Sequence, residues 1–165
     1  MASSSAAAGG GAGELGHVSI DPGGARCACG GTGCLETVTS STALLAAYAR
    51  YGGTLPHGMH AGLRQVVSAY AKSEEAACKA VADVGRSLGI GLALAVNLLD
   101  PDAIVLCGDL AALGDALLEA ARPTLSAFTL RKSGSAVAVH VSPPAEHAKA
   151  RGAAAAAIER IFRDA

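Results

Sequence analysis

The chain has little aromatic or bulky apolar material. Its 165 residues include no tryptophan, two phenylalanines and three tyrosines. The hydrophobic fraction of 51% is made up largely of alanine. Each buried position therefore removes little apolar area from water. We expect one domain with a core of small side chains and a marginal free energy of unfolding.

Clustered positive charge is also missing. Charged residues make up 16% of the chain, with 13 lysines and arginines against 14 aspartates and glutamates, and no basic run occurs. A nucleic-acid-binding module usually presents a clustered basic face. We therefore expect no direct nucleic acid binding by this chain.

Signals for export or membrane insertion are absent as well. The longest apolar run, residues 88–99, is shorter than the roughly 20 residues that cross a bilayer. Residues 1–12 are almost wholly alanine, serine and glycine, which predicts a flexible tail rather than a signal peptide. With five cysteines and no export signal, the sequence predicts a cytoplasmic protein whose thiolates bind metal.

Four side chains with metal-ligating atoms are grouped among glycines. They are His17, Cys27, Cys29 and Cys34. Three thiolates and one imidazole fill the tetrahedral shell of Zn²⁺, which predicts a structural zinc site with no open position. The alternative is a set of small buried thiols or a disulfide. The two spare cysteines, Cys78 and Cys107, are expected to be small buried residues.

The residues around these ligands resemble the signature of the ROK family, which groups bacterial sugar kinases with sugar-responsive transcription regulators. The resemblance is carried by the Gly-Glu-Leu-Gly-His segment at 13–17 and the cysteine segment at 27–36. It continues through residues 88–101, 104–109 and 150–155. It implies an α/β fold, namely an incomplete actin-like, ribonuclease-H-like domain. Residues 13–165 would be a truncated C-terminal ROK-type sugar-binding domain.

The resemblance also implies a binding site. His17, Cys27, Cys29 and Cys34 would hold the zinc, and Glu14, His17 and Glu36 would line a sugar pocket. A carboxylate can accept two sugar hydroxyl hydrogen bonds at once, so this chemistry suits a polyol. His17 could bind the metal through one ring nitrogen and offer the other to the ligand. The alternative for Glu14 and Glu36 is a solvated loop charge and a charge favoured at a helix N-terminus.

Two elements of the family's kinases have no counterpart here. Their Asp-x-Gly-x-Thr strand and catalytic aspartate lie upstream of the segment that begins at Gly13, which only twelve residues precede. We therefore assign no catalytic residue and expect no kinase activity from this chain alone. Cys107 stands where the family usually has the first of two glycines near the nucleotide base, which argues against tight nucleotide binding.

These observations favour a zinc-stabilised sugar-sensing module of a ROK-type transcription regulator. The alternative is the C-terminal half of a ROK hexose kinase, inactive alone. A third option is a degenerate remnant that binds nothing. The expected partner is a hexose or an N-acetylated amino sugar, bound weakly. A second copy or a missing N-terminal half would complete the molecule, because the resemblance implies an open sheet edge.

Hydrophobic periodicity and breakers predict the element order. Residues 103–107 are continuously apolar, which predicts a strand covered on both faces. The predicted strands are 17–21, 103–107 and 137–141, and the predicted helices are 35–51, 63–71, 74–98, 110–121, 123–130 and 146–162.

Overall fold

The computed structural model describes residues 11, 13–130 and 137–142, together with the separate positions 152, 154, 155 and 158. Most of the predicted tail, 1–12, and most of the predicted closing helix, 146–162, lie outside the described residues. The elements in chain order are a first 3-10 helix (Leu15–His17), α1 (Glu36–Thr39), α2 (Ser41–Arg50), α3 (Met59–Ala71), α4 (Glu75–Leu99), β1 (Ala103–Leu106), a second 3-10 helix (Asp109–Leu113), α5 (Asp115–Phe128) and β2 (Ala138–Val141).

The helix predicted over residues 35–51 is two helices. Ser40 separates them, because its backbone is extended (φ −85°, ψ 165°) and its hydroxyl accepts a hydrogen bond from the Ala43 N–H at 3.2 Å. This is the geometry of an N-cap, which satisfies a free amide at the start of α2. The prediction failed because apolar periodicity continues across the break while the cap chemistry ends the helix.

The two stretches predicted at 110–121 and 123–130 also differ from the structure. The first begins as the second 3-10 helix, and α5 then runs continuously past Pro123. A proline in a helix removes one backbone donor and normally ends or kinks the helix. Here α5 packs along α4 on both sides of Pro123, and this tertiary contact keeps the two halves in one helix.

The central element is α4, on which α1, α2, α3 and α5 pack. A side chain at Gly85 would overlap Ala120, and one at Gly89 would lie 2.5 Å from the Ala121 carbonyl oxygen. The glycines thus let α5 approach the backbone of α4. By length and composition α4 could cross a membrane, but ten of its residues are buried, so it is a core helix.

Within the described part of the chain, one cluster of buried side chains forms between the helices. It is centred on α4 and contains one aromatic ring, that of Tyr48, whose hydroxyl donates to Glu74 at 2.8 Å. The small side chains make this core thin, as the composition predicts. Its members are Leu44, Ala47, Tyr48, Leu63, Val66, Ala69, Ala76, Ala77, Ala80, Val81, Val84, Leu113 and Leu117.

The two strands form a parallel pair joined through α5. Ala103 is opposite Ala138 and Leu106 is opposite Val141. The α/β class is therefore confirmed, but the expectation that β1 is covered on both faces is wrong for the described part of the chain. Its residues alternate between exposed and half-buried, and Val105 is 61% exposed. Ile104 and Leu106 are half-buried, whereas Ala103 and Val105 are exposed within the described residues.

Enlarging Gly89 should disturb the contact between α4 and α5. We expect Gly89→Val to lower the free energy of unfolding by about 1–3 kcal/mol, because the new side chain must displace α5. The matched control is Ala82→Val on the exposed side of the same helix. It should change stability by less than about 1 kcal/mol, through helix propensity alone. Urea denaturation followed by circular dichroism measures both, and equal losses would contradict this account of the glycine.

Candidate metal centre and sugar-binding residues

The three predicted cysteine ligands lie on a loop, residues 21–35, that folds back on residues 18–20. This loop is called the metal loop below. The Ile20 N–H donates to the Gly33 carbonyl and the Leu35 N–H donates to the Val18 carbonyl, both at 2.9 Å. Isolated antiparallel bridges join residue 19 to 34 and residue 26 to 32. The strand predicted at 17–21 is wrong, since His17 ends the first 3-10 helix and the following residues pair only with this loop in the described structure.

The loop closes through a turn that the sequence analysis did not single out. The Asp21 carboxylate accepts the Gly23 N–H at 3.1 Å, and the Asp21 carbonyl accepts the Gly24 N–H at 2.8 Å. Gly33 (φ +68°) lies against that carbonyl, which any side chain at 33 would overlap. The Asp-Pro-Gly-Gly run at 21–24 carries this signal, since aspartate, proline and glycine are the residues that tight turns favour.

The fold brings the four predicted ligands together. The ligating atoms of His17, Cys27, Cys29 and Cys34 all lie within 4.8 Å of one another. Cys27 Sγ is 3.6 Å from His17 Nδ1, and Cys29 Sγ is 3.6 Å from Cys34 Sγ. Tetrahedral zinc, with bonds of about 2.3 Å to sulfur and about 2.0–2.1 Å to nitrogen, separates its ligand atoms by roughly 3.5–3.8 Å. The cluster has the composition and spacing to hold a metal ion.

The thiols of this cluster differ in their environments. Cys34 is 2% exposed, Cys27 is 9% exposed, and Cys29 is open to solvent. Desolvation, reinforced by the neighbouring thiols, raises the pKa of Cys34 to about 12. The Gly31 N–H, 3.4 Å from the Cys29 sulfur, is the main cause that lowers the pKa of Cys29. A metal must therefore displace a proton from Cys34, so metal binding should weaken as the pH falls.

The three predicted sugar-binding side chains are all exposed beside this cluster or on the turn that leads to it. The Glu36 carboxylate is 3.5 Å from His17 Nδ1, and the two side chains are 55% and 37% exposed. Glu14 caps the first 3-10 helix, where its carbonyl accepts the His17 N–H at 3.0 Å. The structure thus brings His17 and Glu36 into contact and places Glu14 one helical turn before His17.

Among the described residues, contacts at Leu35 and at Cys34 join the metal loop to the helices. The Leu35 side chain fills the space over Gly91 of α4, where a side chain would overlap it. The Cys34 carbonyl accepts both the Thr37 N–H at 2.9 Å and the Thr37 hydroxyl at 2.7 Å, at the start of α1. The position of Glu36 is therefore fixed from both sides, by Leu35 and by Thr37.

The spare cysteines are not both buried as predicted. Cys78 on α4 is half-buried, and Cys107, directly after β1, is exposed. Residue 107 follows a strand that has one face open in the described structure, which leaves its thiol in solvent. Neither residue belongs to the metal-ligand cluster.

Comparison with known proteins identifies the family. The model of the ROK family matches residues 4–160. The chain belongs to the ROK family. It is 38% identical over 130 residues to a glucokinase of Halalkalibacterium halodurans, across 72% of this chain and 39% of that protein. It is 31% identical over 129 residues to the Escherichia coli transcriptional dual regulator NagC, across 74% of this chain and 31% of that protein.

The structural similarity supports the actin-like fold. A ROK glucokinase from Streptomyces griseus, solved with glucose and AMPPNP, superposes with a TM-score of 0.69 at 22% identity. That match covers 79% of this chain and 46% of the glucokinase. This ROK chain therefore spans less than half of each of these relatives, which include both kinases and regulators.

Removal of one buried ligand should remove the metal. We expect the purified chain to hold about one zinc ion, and Cys34→Ser to lose it, because a structural zinc site contributes its binding energy only when its shell is complete. Cys78→Ser is the control, since it removes a thiol outside the cluster. Metal analysis by mass spectrometry measures both variants, and a metal-free wild-type chain with an ordered loop would contradict the assignment.

Proposed function

We propose that this chain is a zinc-stabilised sugar-binding module from a ROK-type transcription regulator. One observation carries the proposal: His17 lies between the cysteine cluster and an exposed carboxylate. Its Nδ1 is 3.6 Å from Cys27 Sγ and 3.5 Å from Glu36 Oε2. A metal held by His17 would therefore fix the ring beside Glu36 and orient both groups toward a ligand.

The proposed metal is structural. His17, Cys27, Cys29 and Cys34 would fill four positions and leave none for a reactive water. Zinc would supply folding energy to a loop whose own contacts are mainly backbone hydrogen bonds. The thiolates would remain reduced in the cytoplasm, where we place the protein.

The proposed ligand is a hexose or an N-acetylated amino sugar. Glu14 and Glu36 would accept hydroxyl hydrogen bonds, and His17 would offer its second ring nitrogen. These side chains are exposed and hydrated, so each new hydrogen bond replaces one to water and contributes little net free energy. We therefore expect weak binding by this chain, with further polar contacts supplied by parts of the longer relatives that it does not match.

The regulator assignment rests on Cys107. The resemblance to the family would put Cys107 where its kinases bring backbone close to a nucleotide, and the Cys107 thiol is exposed. A sugar-sensing module does not need to bind a nucleotide at this position. We propose no catalytic residue in this chain and no direct contact with nucleic acid.

The role of the Glu36 charge can be tested with glutamine, a neutral side chain of the same shape. We expect Glu36→Gln to weaken binding of glucose or N-acetylglucosamine by about two- to tenfold, since the net contribution of a hydrogen bond that replaces one to water is about 0.5–1.5 kcal/mol. Glu119→Gln, an exposed change on α5, is the control and should bind as the wild type does. Isothermal titration calorimetry measures the affinities, and an unchanged value for Glu36→Gln would remove it from the pocket.

The second candidate is the C-terminal part of a ROK sugar kinase. It is favoured by the 38% identity to a glucokinase and by an open cleft next to the residues after β1. The cleft lies between α3 and the second 3-10 helix and has a volume of about 410 Å³. Its polar lining residues are His60, Arg64, Ser68 and Asp109, and the rest of its lining is apolar. Its size falls within the range of small-molecule sites.

Nucleotide binding separates the two candidates. The regulator proposal predicts no saturable binding of ATP at millimolar concentration, because the Cys107 thiol replaces a glycine where the base would approach. Equilibrium dialysis with labelled ATP measures this, with Cys107→Gly as a second sample. Saturable binding by the wild type would favour the kinase, and binding by Cys107→Gly alone would support the proposed role of the thiol.

A further inference from the structure

The three cysteines of the cluster are unequally accessible. Cys29 is exposed, whereas Cys34 is 2% exposed and Cys27 is 9% exposed. Two glycines, residues 30 and 31, follow Cys29, and Gly30 has a positive φ of 92°. An oxidant from solvent therefore reaches the Cys29 sulfur before either of the other two.

A buried thiol, that of Cys34, lies next to the thiol of Cys29. Cys34 Sγ lies 3.6 Å from Cys29 Sγ, while Cys27 Sγ lies 3.6 Å from the His17 ring. We propose that Cys29 and Cys34 form a thiol switch, in which a hydroperoxide converts the pair to a disulfide and abolishes metal binding. The proposal rests on the proposed zinc site, because its effect is loss of that metal.

The chemistry balances with a hydroperoxide as the oxidant. The Cys29 thiolate attacks one peroxide oxygen, the O–O bond breaks, and Cys29 becomes a sulfenic acid as hydroxide or alkoxide leaves. The Cys34 thiolate then attacks the Cys29 sulfur, the S–O bond breaks, hydroxide leaves and the S–S bond forms. The two sulfurs lose two electrons, the peroxide gains them, and two protons from solvent neutralise the leaving groups.

The disulfide would affect the proposed sugar site because Cys34 is only two residues from Glu36. Cys34 is followed by Leu35, which packs over Gly91, and then by Glu36, which contacts His17. A disulfide leaves the cluster with one thiol and one imidazole, too few to complete a zinc shell. His17 and Glu36 would then lose their shared support, so sugar affinity would fall with the metal.

The effect should be confined to the loop. The core cluster draws its members from α2 to α5 and the second 3-10 helix, and none of residues 17–36 belongs to it. The helices should therefore keep their circular dichroism while the loop opens. Arg26, exposed within the loop, supplies a trypsin site that reports this opening.

The experiment treats the zinc-loaded chain with a small excess of hydrogen peroxide. Released zinc is measured with a chromogenic chelator, disulfides are mapped by peptide mass spectrometry, and trypsin cleavage after Arg26 is timed. We expect about one zinc released per chain, a Cys29–Cys34 disulfide, and cleavage faster by about tenfold or more. A dithiol reductant with added zinc should reverse all three changes.

Cys107→Ser is the control, because it removes the other exposed thiol and should leave zinc release unchanged. If peroxide oxidises Cys107 in the wild-type chain while the zinc stays bound, the proposed switch is wrong. Zinc release with a disulfide other than Cys29–Cys34, or with irreversible sulfinic acid, would overturn it too. A chain that holds no zinc before peroxide is added would refute the proposed function itself, so the two failures are separate.

Discussion

Close approach to the backbone of α4 is the constraint on which the rest of the structure depends. The chain has few large apolar side chains, so stability must come from short distances between helices rather than from bulky residues. Gly85 and Gly89 admit α5, and Gly91 admits the Leu35 side chain. The same helix thereby holds the βαβ unit on one side and the metal loop on the other.

The metal loop is held in shape separately from the helical core. It lies outside the helical core cluster and is joined to it through Leu35 and the start of α1. Its own backbone hydrogen bonds fold it back on the residues that follow the first 3-10 helix. On the proposed function, a bound metal would stabilise the shape of this loop and the positions of the two groups beside it. His17 and Glu36 are those groups.

Kinase and regulator members of the ROK family both match this chain, which spans less than half of each relative compared. The features that bear on the difference lie after β1, where Cys107 is exposed and an open cleft begins. A single exposed cysteine within the ligand cluster adds a chemical property that neither activity requires. The proposed switch would link the oxidation state of Cys29 and Cys34 to the position of the Glu36 carboxylate, two residues after Cys34.

The sequence by itself determined the family, the α/β class, the long helix α4, the strands β1 and β2, and the four residues that the fold brings together as a possible metal site. Ligand chemistry and helical periodicity are local, so four clustered metal-binding residues and the apolar repeat of α4 could be recognised from spacing alone. Tertiary structure decided the break at Ser40, the passage of α5 through Pro123 and the open face of Val105. It also decided which thiol faces solvent. These features depend on what packs against each residue, which is set by distant parts of the chain.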